Sequence, residues 1–310
     1  MDLFTHRLRL HADPSRVVVR PFHIAWGGKG GPPNRTERLV GEVLEMSPEE
    51  AREQLETVLK DFEARHWQTR RVFMTRYDEI EDLLGLDGAE ISDEKRQLIG
   101  AYFCHEYSYA AAALMNPSAV PHFDQTGMPE GSMRILMSLR SVGEGHISSV
   151  AFREGIITSG NELKLAPEPP FATATDVVGA GEDEIPEGPV TVWRHRDSTL
   201  SGTVIFPITQ AQSKGLEDLR IVHFQHEDGS YEWIGTYTAY NGSVIQSELL
   251  RTREPILAAK DQDREGYVPN VVYSCGAIKH GDTLFLPYGI ADSSVGFAFV
   301  KIKDMLAAMV

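Results

Sequence analysis

The sequence lacks most of the features that would place a chain outside the ordinary globular class. It has only two cysteines, Cys104 and Cys275, far apart in sequence, so neither a disulfide framework nor a metal site with closely spaced cysteine ligands is predicted. No apolar stretch reaches the length of a membrane-spanning helix, and the N-terminal residues lack the uninterrupted apolar run of a secretion signal. These absences predict a cytoplasmic protein without a metal ion and without a membrane partner.

Positive charge is also scarce. The chain has 30 Lys and Arg against 45 Asp and Glu, which gives a net charge of −15. Because nucleic acids and anionic membrane surfaces are bound largely through Lys and Arg, neither is an expected partner. A neutral ligand such as a sugar meets no such repulsion. With 310 residues, of which 42% are hydrophobic, the chain is long enough to bury a large core.

The N-terminal part of the chain has the pattern of helices. Ser47 to Glu50 reads Ser-Pro-Glu-Glu, a helix start with a capping serine, a proline in the first turn and a glutamate three residues after the cap. Apolar residues follow at helical spacing from Ala51 to Phe62. Further helices are predicted over about Thr69 to Leu84 and from Ser92 through the alanines at 110–113. Their apolar stripes predict packing on the rest of the chain or on a second subunit, so a homo-oligomer formed through these helices is possible.

The remainder of the chain has the pattern of strands. Short apolar segments are separated by Gly, Pro, Asn and Asp, which is typical of a sandwich, barrel or propeller. The sequence therefore predicts a helical region over residues 1–95 and a mainly β region over 96–310. The strand candidates are Met133 to Leu139, His146 to Arg153, Val190 to Arg194, Gly202 to Pro207, Leu219 to His226, Tyr231 to Tyr240, Ser243 to Leu249, Val271 to Ile278, Thr283 to Pro287 and Val295 to Ile302.

Several motifs, taken in order along the chain, carry a family resemblance. They are Asn116-Pro117-Ser118, Ser138-Leu139-Arg140, Gly215-Leu216-Glu217-Asp218-Leu219-Arg220-Ile221, the segment 235–242 with the sequence GTYTAYNG, the segment 270–276 with the sequence NVVYSCG, and Pro287-Tyr288-Gly289-Ile290-Ala291-Asp292. Together they resemble glycoside hydrolase family 130, the mannoside phosphorylases and mannosidases. Leu219 departs from the family's pattern, because a proline is usual there.

The resemblance implies a five-bladed β-propeller, here incomplete. In the family, about two further blades follow the segment that resembles 235–242, whereas here the segment 249–252 runs almost directly into the segment 253–257, which leads to the closing blade. The strand candidates, at four strands to a blade, make about three blades, and closed propellers have at least four. The expected fold is therefore mainly β, a propeller of about three blades with an N-terminal helical region and an internal deletion near 252–253.

The resemblance also implies an activity, which is the cleavage of β-mannosidic bonds by inverting hydrolysis or phosphorolysis. The implied partner is a mannose-containing oligosaccharide. No cofactor is expected, although inorganic phosphate would be the co-substrate of a phosphorylase. The family's phosphate-binding residues have no matching positions in this chain. An inactive, truncated propeller that binds sugar, or serves only in assembly, is therefore the alternative, and whether the chain is an enzyme stays open.

Four residues are the candidates for the site. Cleavage needs an acid that protonates the departing oxygen, and by resemblance this is Asp218, beside Glu217, whose negative charge would favour a proton on its neighbour. Asn116, Arg140 and Asp292 would bind the sugar hydroxyls. Each also has a structural interpretation: Asp218 in a solvated turn, Asn116 as a turn residue before proline, Arg140 in a surface salt bridge and Asp292 as a cap.

Overall fold

The structure, a computed structural model, describes residues 3–22, 24, 34–86, 90–178, 190–240, 266 and 268–308. The helices are α1 (Arg35–Glu45), α2 (Pro48–Glu63), α3 (Thr69–Leu84), α4 (Asp93–Tyr102) and α5 (Ile302–Ala308). The strands are β1 (Leu3–Thr5), β2 (Leu10–His11), β3 (Val17–Pro21), β4 (Cys104–Ser108), β5 (Ala113–Pro121), β6 (Met133–Val142), β7 (Ser148–Ile157), β8 (Leu163–Leu165), β9 (Thr173–Ala174), β10 (Asp176–Val178), β11 (Thr191–Trp193), β12 (Thr203–Ile205), β13 (Leu216–Gln225), β14 (Tyr231–Ala239), β15 (Val272–Tyr273), β16 (Ile278–His280), β17 (Thr283–Ile290) and β18 (Ser294–Lys301).

The chain divides into two compact units. The first comprises Met1–Arg16, Ser108–Pro169 and Ala174–Val310, and the second comprises Val17–Tyr107 and Pro170–Thr173. The expected mainly β character is confirmed, with the strands concentrated in the first unit. The predicted boundary at residue 95 and the number of blades stay predictions. Among the described residues, no helix combines the length and the apolar character needed to cross a bilayer.

The second unit contains α1 to α4 and the paired strands β3 and β4. Helix α2 begins as predicted, because Ser47 accepts a hydrogen bond from the Glu50 backbone while the Glu50 side chain accepts one from the Ser47 backbone. Helix α3 has the predicted bounds and is capped at its C-terminal end by Gly85, which has a left-handed backbone. The buried faces of α1, α3 and α4 share one apolar cluster that includes Val43, Tyr77 and Leu98.

One helix prediction is wrong. Helix α4 is capped by Ser92 as expected, but it ends at Tyr102 and does not continue through the alanines at 110–113. The chain instead forms β4, and Ala113 begins β5, a strand that is buried along nearly its whole length. Alanine favours a helix when local propensity decides, but packing between sheets overrides that preference here.

The first unit is built around two antiparallel sheets. One has the order β5-β6-β7-β12-β9, with β8 also pairing with β7. The other has the order β1-β18-β17-β15, so N-terminal strands lie beside C-terminal ones. A shared apolar core that includes Ile135, Met137, Phe285 and Phe297 packs the two sheets together. The predicted strand Ser243 to Leu249 and the predicted deletion near 252–253 lie outside the described residues.

The ribbon of β13 and β14 is a third element of this unit. Its inner end is tied to the first sheet, because the Ile221 amide donates to Ser118 Oγ at 3.1 Å and Ser138 Oγ donates to the Leu219 carbonyl at 2.8 Å. Its outer end is exposed on both faces, where Val222 and Trp233 are 56% and 44% exposed. The fold thereby fixes the start of β13, where Asp218 lies, more firmly than its far end.

Candidate active site

The four predicted site residues come from four different segments of the first unit. Asn116 lies on β5, Arg140 on β6, Asp218 on β13 and Asp292 in the turn between β17 and β18. Asn116, Asp218 and Asp292 have φ values of 49°, 52° and 49°, in the left-handed region. Residues other than glycine rarely adopt this conformation, although Asn and Asp tolerate it best. Backbone strain of this kind is concentrated at functional sites in proteins.

Bulges produce two of these three conformations. The pairing of β5 with β6 shifts register between Met115 and Ser118, and the pairing of β13 with β14 shifts between Glu217 and Arg220. A bulge leaves a residue out of the ladder and turns its side chain away from the regular alternation. Asn116 and Asp218 both lie in these irregular stretches, and their side chains meet there.

Asn116 holds Asp218 directly. Its Nδ2 donates a hydrogen bond to Asp218 Oδ1 at 2.8 Å. Asn116 is 6% exposed, and its Oδ1 is buried and has no hydrogen-bond partner among the described residues. An unpaired buried amide oxygen is costly, and such groups are exceptional in folded proteins.

Arg140 lies between two adjacent carboxylates. Its Nη2 donates to Glu217 Oε1 at 2.5 Å and its Nη1 lies 3.7 Å from Asp218 Oδ1. Its Nε donates to Ser148 Oγ at 3.0 Å, which fixes the plane of the guanidinium group. The side chains of Arg140, Glu217 and Asp218 are 22%, 13% and 21% exposed. Arg140 is thus part of a half-buried charge network.

Burial and neighbouring charge shift the pKa of two carboxyl groups in the site, those of Glu217 and Asp292. Burial raises the pKa of Glu217, Arg140 opposes that rise and Asp218 adds to it. Burial likewise raises the pKa of Asp292, with Arg140 opposing and Asp218 adding. Asp292 is therefore close enough to both residues to share their electrostatic environment. Three carboxyl groups around one guanidinium make the cluster a candidate for proton transfer and for hydrogen bonding to hydroxyls.

Sequence reasoning missed two contributors to this site. Glu217 was considered only as a neighbour of Asp218, whereas it is the closest partner of Arg140. Gly289 packs against Asn116, because a Cβ at this position would lie 2.9 Å from Asn116 Oδ1 and 3.1 Å from its backbone nitrogen. The adjacent Glu-Asp pair was a signal for the first, and the second lies in the motif at 287–292, in which only Asp292 was given a role. Among the described residues, no group of His, Cys, Asp and Glu is arranged to hold a metal ion.

Comparison with known proteins finds partial similarity to one family. The profile of the family described as beta-1,4-mannooligosaccharide phosphorylase, glycoside hydrolase family 130, matches residues 241–310. The resemblance to this family is confirmed. The 1,2-beta-oligomannan phosphorylase of Thermoanaerobacter sp. (strain X514) is 43% identical over 58 residues, 18% of this chain and 20% of that protein. The Beta-1,2-mannobiose phosphorylase of Listeria innocua serovar 6a (strain ATCC BAA-680 / CLIP 11262) is 44% identical over 59 residues, 19% of this chain and 17% of that protein.

These similarities to glycoside hydrolase family 130 are partial. The chain spans about a fifth of the length of the curated relatives it matches. Among solved structures, the chain is similar to the Beta-1,2-Mannobiose phosphorylase from Listeria innocua in its beta-1,2-mannobiose complex. The similarity covers 65% of this chain and 48% of that protein, at 20% sequence identity and a TM-score of 0.19. That TM-score is too low to support an argument from superposition. Of the four site residues, Asp292 lies inside the segment that the family profile matches, and Asn116, Arg140 and Asp218 lie outside it.

Proposed function

We propose that this chain cleaves β-mannosidic bonds with Asp218 as the general acid. The observation that carries the proposal is the contact of the Asp218 carboxyl group with Asn116 and its closeness to Arg140 in a half-buried cluster. The relatives in glycoside hydrolase family 130 carry mannoside phosphorylase names, which supports the choice of substrate class. Because the chain covers a small part of those relatives, the activity is a proposal for this chain.

The proposed reaction is an inverting displacement. The protonated Asp218 carboxyl group gives its proton to the departing glycosidic oxygen as that oxygen leaves the anomeric carbon. Water or inorganic phosphate forms the new bond to the anomeric carbon from the opposite face of the sugar ring. Attacking water loses a proton to the solvent, and Asp218 takes up a proton again before the next turnover. Asn116, Arg140 and Asp292 hold the mannose hydroxyls, and a directional network of this kind selects the stereochemistry of the sugar. The two attacking groups give different products, mannose or mannose 1-phosphate.

The test is product analysis with β-1,2-mannobiose and β-1,4-mannobiose, each with and without inorganic phosphate. The proposal expects release of mannose, or of mannose 1-phosphate when phosphate is present, and a loss of about 10²-fold to 10⁴-fold on Asp218→Asn. Asn retains the shape and tolerates the left-handed backbone, so the variant should fold. Glu232→Gln removes a carboxylate from the exposed part of the same ribbon and should retain full activity. Full turnover by Asp218→Asn would refute the role of this residue.

The alternative is a chain that binds mannosides without cleaving them. Its support is the short span that the chain shares with the phosphorylases it resembles. Calorimetry with β-1,2-mannobiose, followed by product analysis of the same sample after long incubation, separates the two functions. Binding without product would favour the alternative. Binding with product would favour the enzyme.

The proposal also includes a fold, an oligomeric state and a cellular location. The antiparallel sheets of the first unit are interpreted as blades of an incomplete propeller of about three blades. Helices α1 to α4 are interpreted as a contact surface between copies of the chain, which size measurement in solution would test. The cytoplasm is the proposed location, which would be tested by fractionating cells that express the chain.

A further inference from the structure

A cavity of about 320 Å³ lies in the first unit, away from the Asp218 cluster. Leu139 and Ala151, a cross-strand pair on β6 and β7, form part of its wall. None of Asn116, Arg140, Asp218 and Asp292 lines this cavity. The cavity is therefore separate from the proposed mannoside site. Its charged lining residues are Arg9, Arg16, Arg153, Asp13 and Glu168.

The charges that line the cavity do not balance. Arg16 and Arg153 share one carboxylate, because Glu168 Oε1 lies 3.9 Å from Arg16 Nε and 3.2 Å from Arg153 Nη1. The two arginine side chains are only 13% and 12% exposed. Asp13 is engaged elsewhere, since its Oδ1 accepts from the backbone amide and the hydroxyl of Ser15. A local surplus of positive charge thus occurs in a chain whose net charge is −15.

The two guanidinium groups are held in place but not fully paired. Arg16 donates from Nη1 to the Pro169 carbonyl at 2.7 Å and from Nε to the Tyr109 hydroxyl at 3.2 Å. Arg153 donates from Nη2 to the Ala166 carbonyl at 3.1 Å. Arg16 Nη2 and Arg153 Nε are buried and have no hydrogen-bond partner among the described residues. Two fixed cations that share one carboxylate and have spare buried donors beside a cavity can bind a further anion.

We propose that this cavity binds a small oxyanion of the phosphate type between Arg16 and Arg153. Planar guanidinium groups bind tetrahedral oxyanions through paired N–H donors, and the partial burial of both arginines strengthens that attraction. The cavity is larger than a bare phosphate needs, so the oxyanion can be free phosphate or the phosphate group of a phosphorylated monosaccharide. The site lies outside the bond-breaking cluster and is independent of the proposed activity.

The experiment is calorimetric titration of the full chain with inorganic phosphate and, separately, with a hexose 6-phosphate, at constant ionic strength in chloride. No mannoside is present, so the result does not depend on cleavage. Arg153→Gln, which retains hydrogen-bonding groups but removes the charge, should weaken binding at least 10-fold. Arg134→Gln removes an arginine that pairs with Asp124 outside the cavity and should leave binding unchanged. Tighter binding of the hexose phosphate than of free phosphate would assign the site to phosphorylated sugars, and the reverse order to the free ion.

A second variant, for which phosphate affinity should change in the opposite direction, keeps the proposal testable if Arg153→Gln misfolds. Glu168→Gln removes the carboxylate that competes for both arginines, and Glu168 is 43% exposed, so the variant should fold. Its affinity for phosphate should rise by at least 3-fold. Weakening in Arg153→Gln together with strengthening in Glu168→Gln supports the proposal. No binding by the unaltered chain, or equal affinities in the unaltered chain and both variants, overturns it.

Discussion

Asn116 Nδ2 donates a 2.8 Å hydrogen bond to Asp218 Oδ1 across 102 residues of sequence. Both residues lie in bulges, and both have a left-handed backbone. The bond therefore depends on two irregular strands being placed correctly against each other. It connects β5 to the ribbon of β13 and β14, which carries the proposed acid.

Replacing the Asn116 amide with a carboxylate should disable the site without a steric change. Asn116→Asp retains the shape and tolerates the left-handed backbone, but it removes the donor and places a negative charge against Asp218. We expect mannoside cleavage to fall about 10²-fold and the melting temperature at pH 7 to fall. Kinetic assays and thermal melts measure both.

A matched control separates this effect from a general cost of the substitution. Asn161 also has a left-handed backbone, and its Oδ1 accepts from Thr283 Oγ1 at 3.1 Å. Asn161→Asp retains that acceptor and should leave cleavage unchanged. Equal losses in both variants would contradict a specific role for the bond between Asn116 and Asp218.

Arg140 and Glu217 should be energetically coupled. Arg140→Gln leaves Glu217 and Asp218 without their nearby cation and should lower the free energy of unfolding by about 2–3 kcal/mol. Adding Glu217→Gln to this variant removes one of the two carboxylates left without a cation. The double variant should therefore be more stable than the sum of the single changes predicts, by about 1 kcal/mol or more. Denaturant unfolding of the four proteins measures this difference, and additive effects would rule out the coupling.

Asp292 should lower stability at neutral pH. Burial raises the pKa of its carboxyl group, so folding disfavours the ionised form. The penalty is absent below the unfolded pKa, about 3.9, and grows as the pH rises through the folded pKa. Asp292→Asn removes it and should raise the melting temperature at pH 7 but not at pH 3.5. The same variant should weaken mannoside binding. A stability gain that does not change with pH would contradict the electrostatic cause.

Gly289 should be needed because of its closeness to Asn116. A Cβ there would lie 2.9 Å from Asn116 Oδ1, so Gly289→Ala should displace the amide from Asp218. We expect a loss of about 1–3 kcal/mol in stability and at least a 10-fold loss of cleavage. Gly41→Ala is the control, because its Cβ meets nothing within 4 Å and lies in helix α1, where alanine should stabilise by up to about 1 kcal/mol. A crystal structure of Gly289→Ala with the Asn116 amide unmoved would contradict this explanation.

The sequence predicted correctly those helices whose bounds depend on residues that are close together in the chain. The capping pattern at Ser47 and the helical spacing after it located α2, and the bounds of α3 were also predicted. The alanines at 110–113 were placed in a helix because propensity was the only guide. Residues 110–112 instead form a turn, and Ala113 begins a strand that depends on a partner distant in sequence, since it pairs with Val142.

The site residues were available only through the family resemblance. No pattern within the sequence predicts that Asn116 and Asp218 share a hydrogen bond, because that contact depends on the register of two strand pairs and on a bulge in each. The pairing of Arg140 with Glu217 was missed for the same reason. The adjacent Glu-Asp pair identified a charged position but not which residue would face the arginine.

The left-handed backbone at three of the site positions also restricts which residue types the fold tolerates there. A random library covering positions 116, 218 and 292 should recover folded chains mainly with Asn, Asp or Gly, because valine and isoleucine clash with their own backbone in this conformation. Two of those three alternatives are short polar groups able to contact a sugar. The requirement to fold therefore favours short polar side chains at these positions, even without selection for activity.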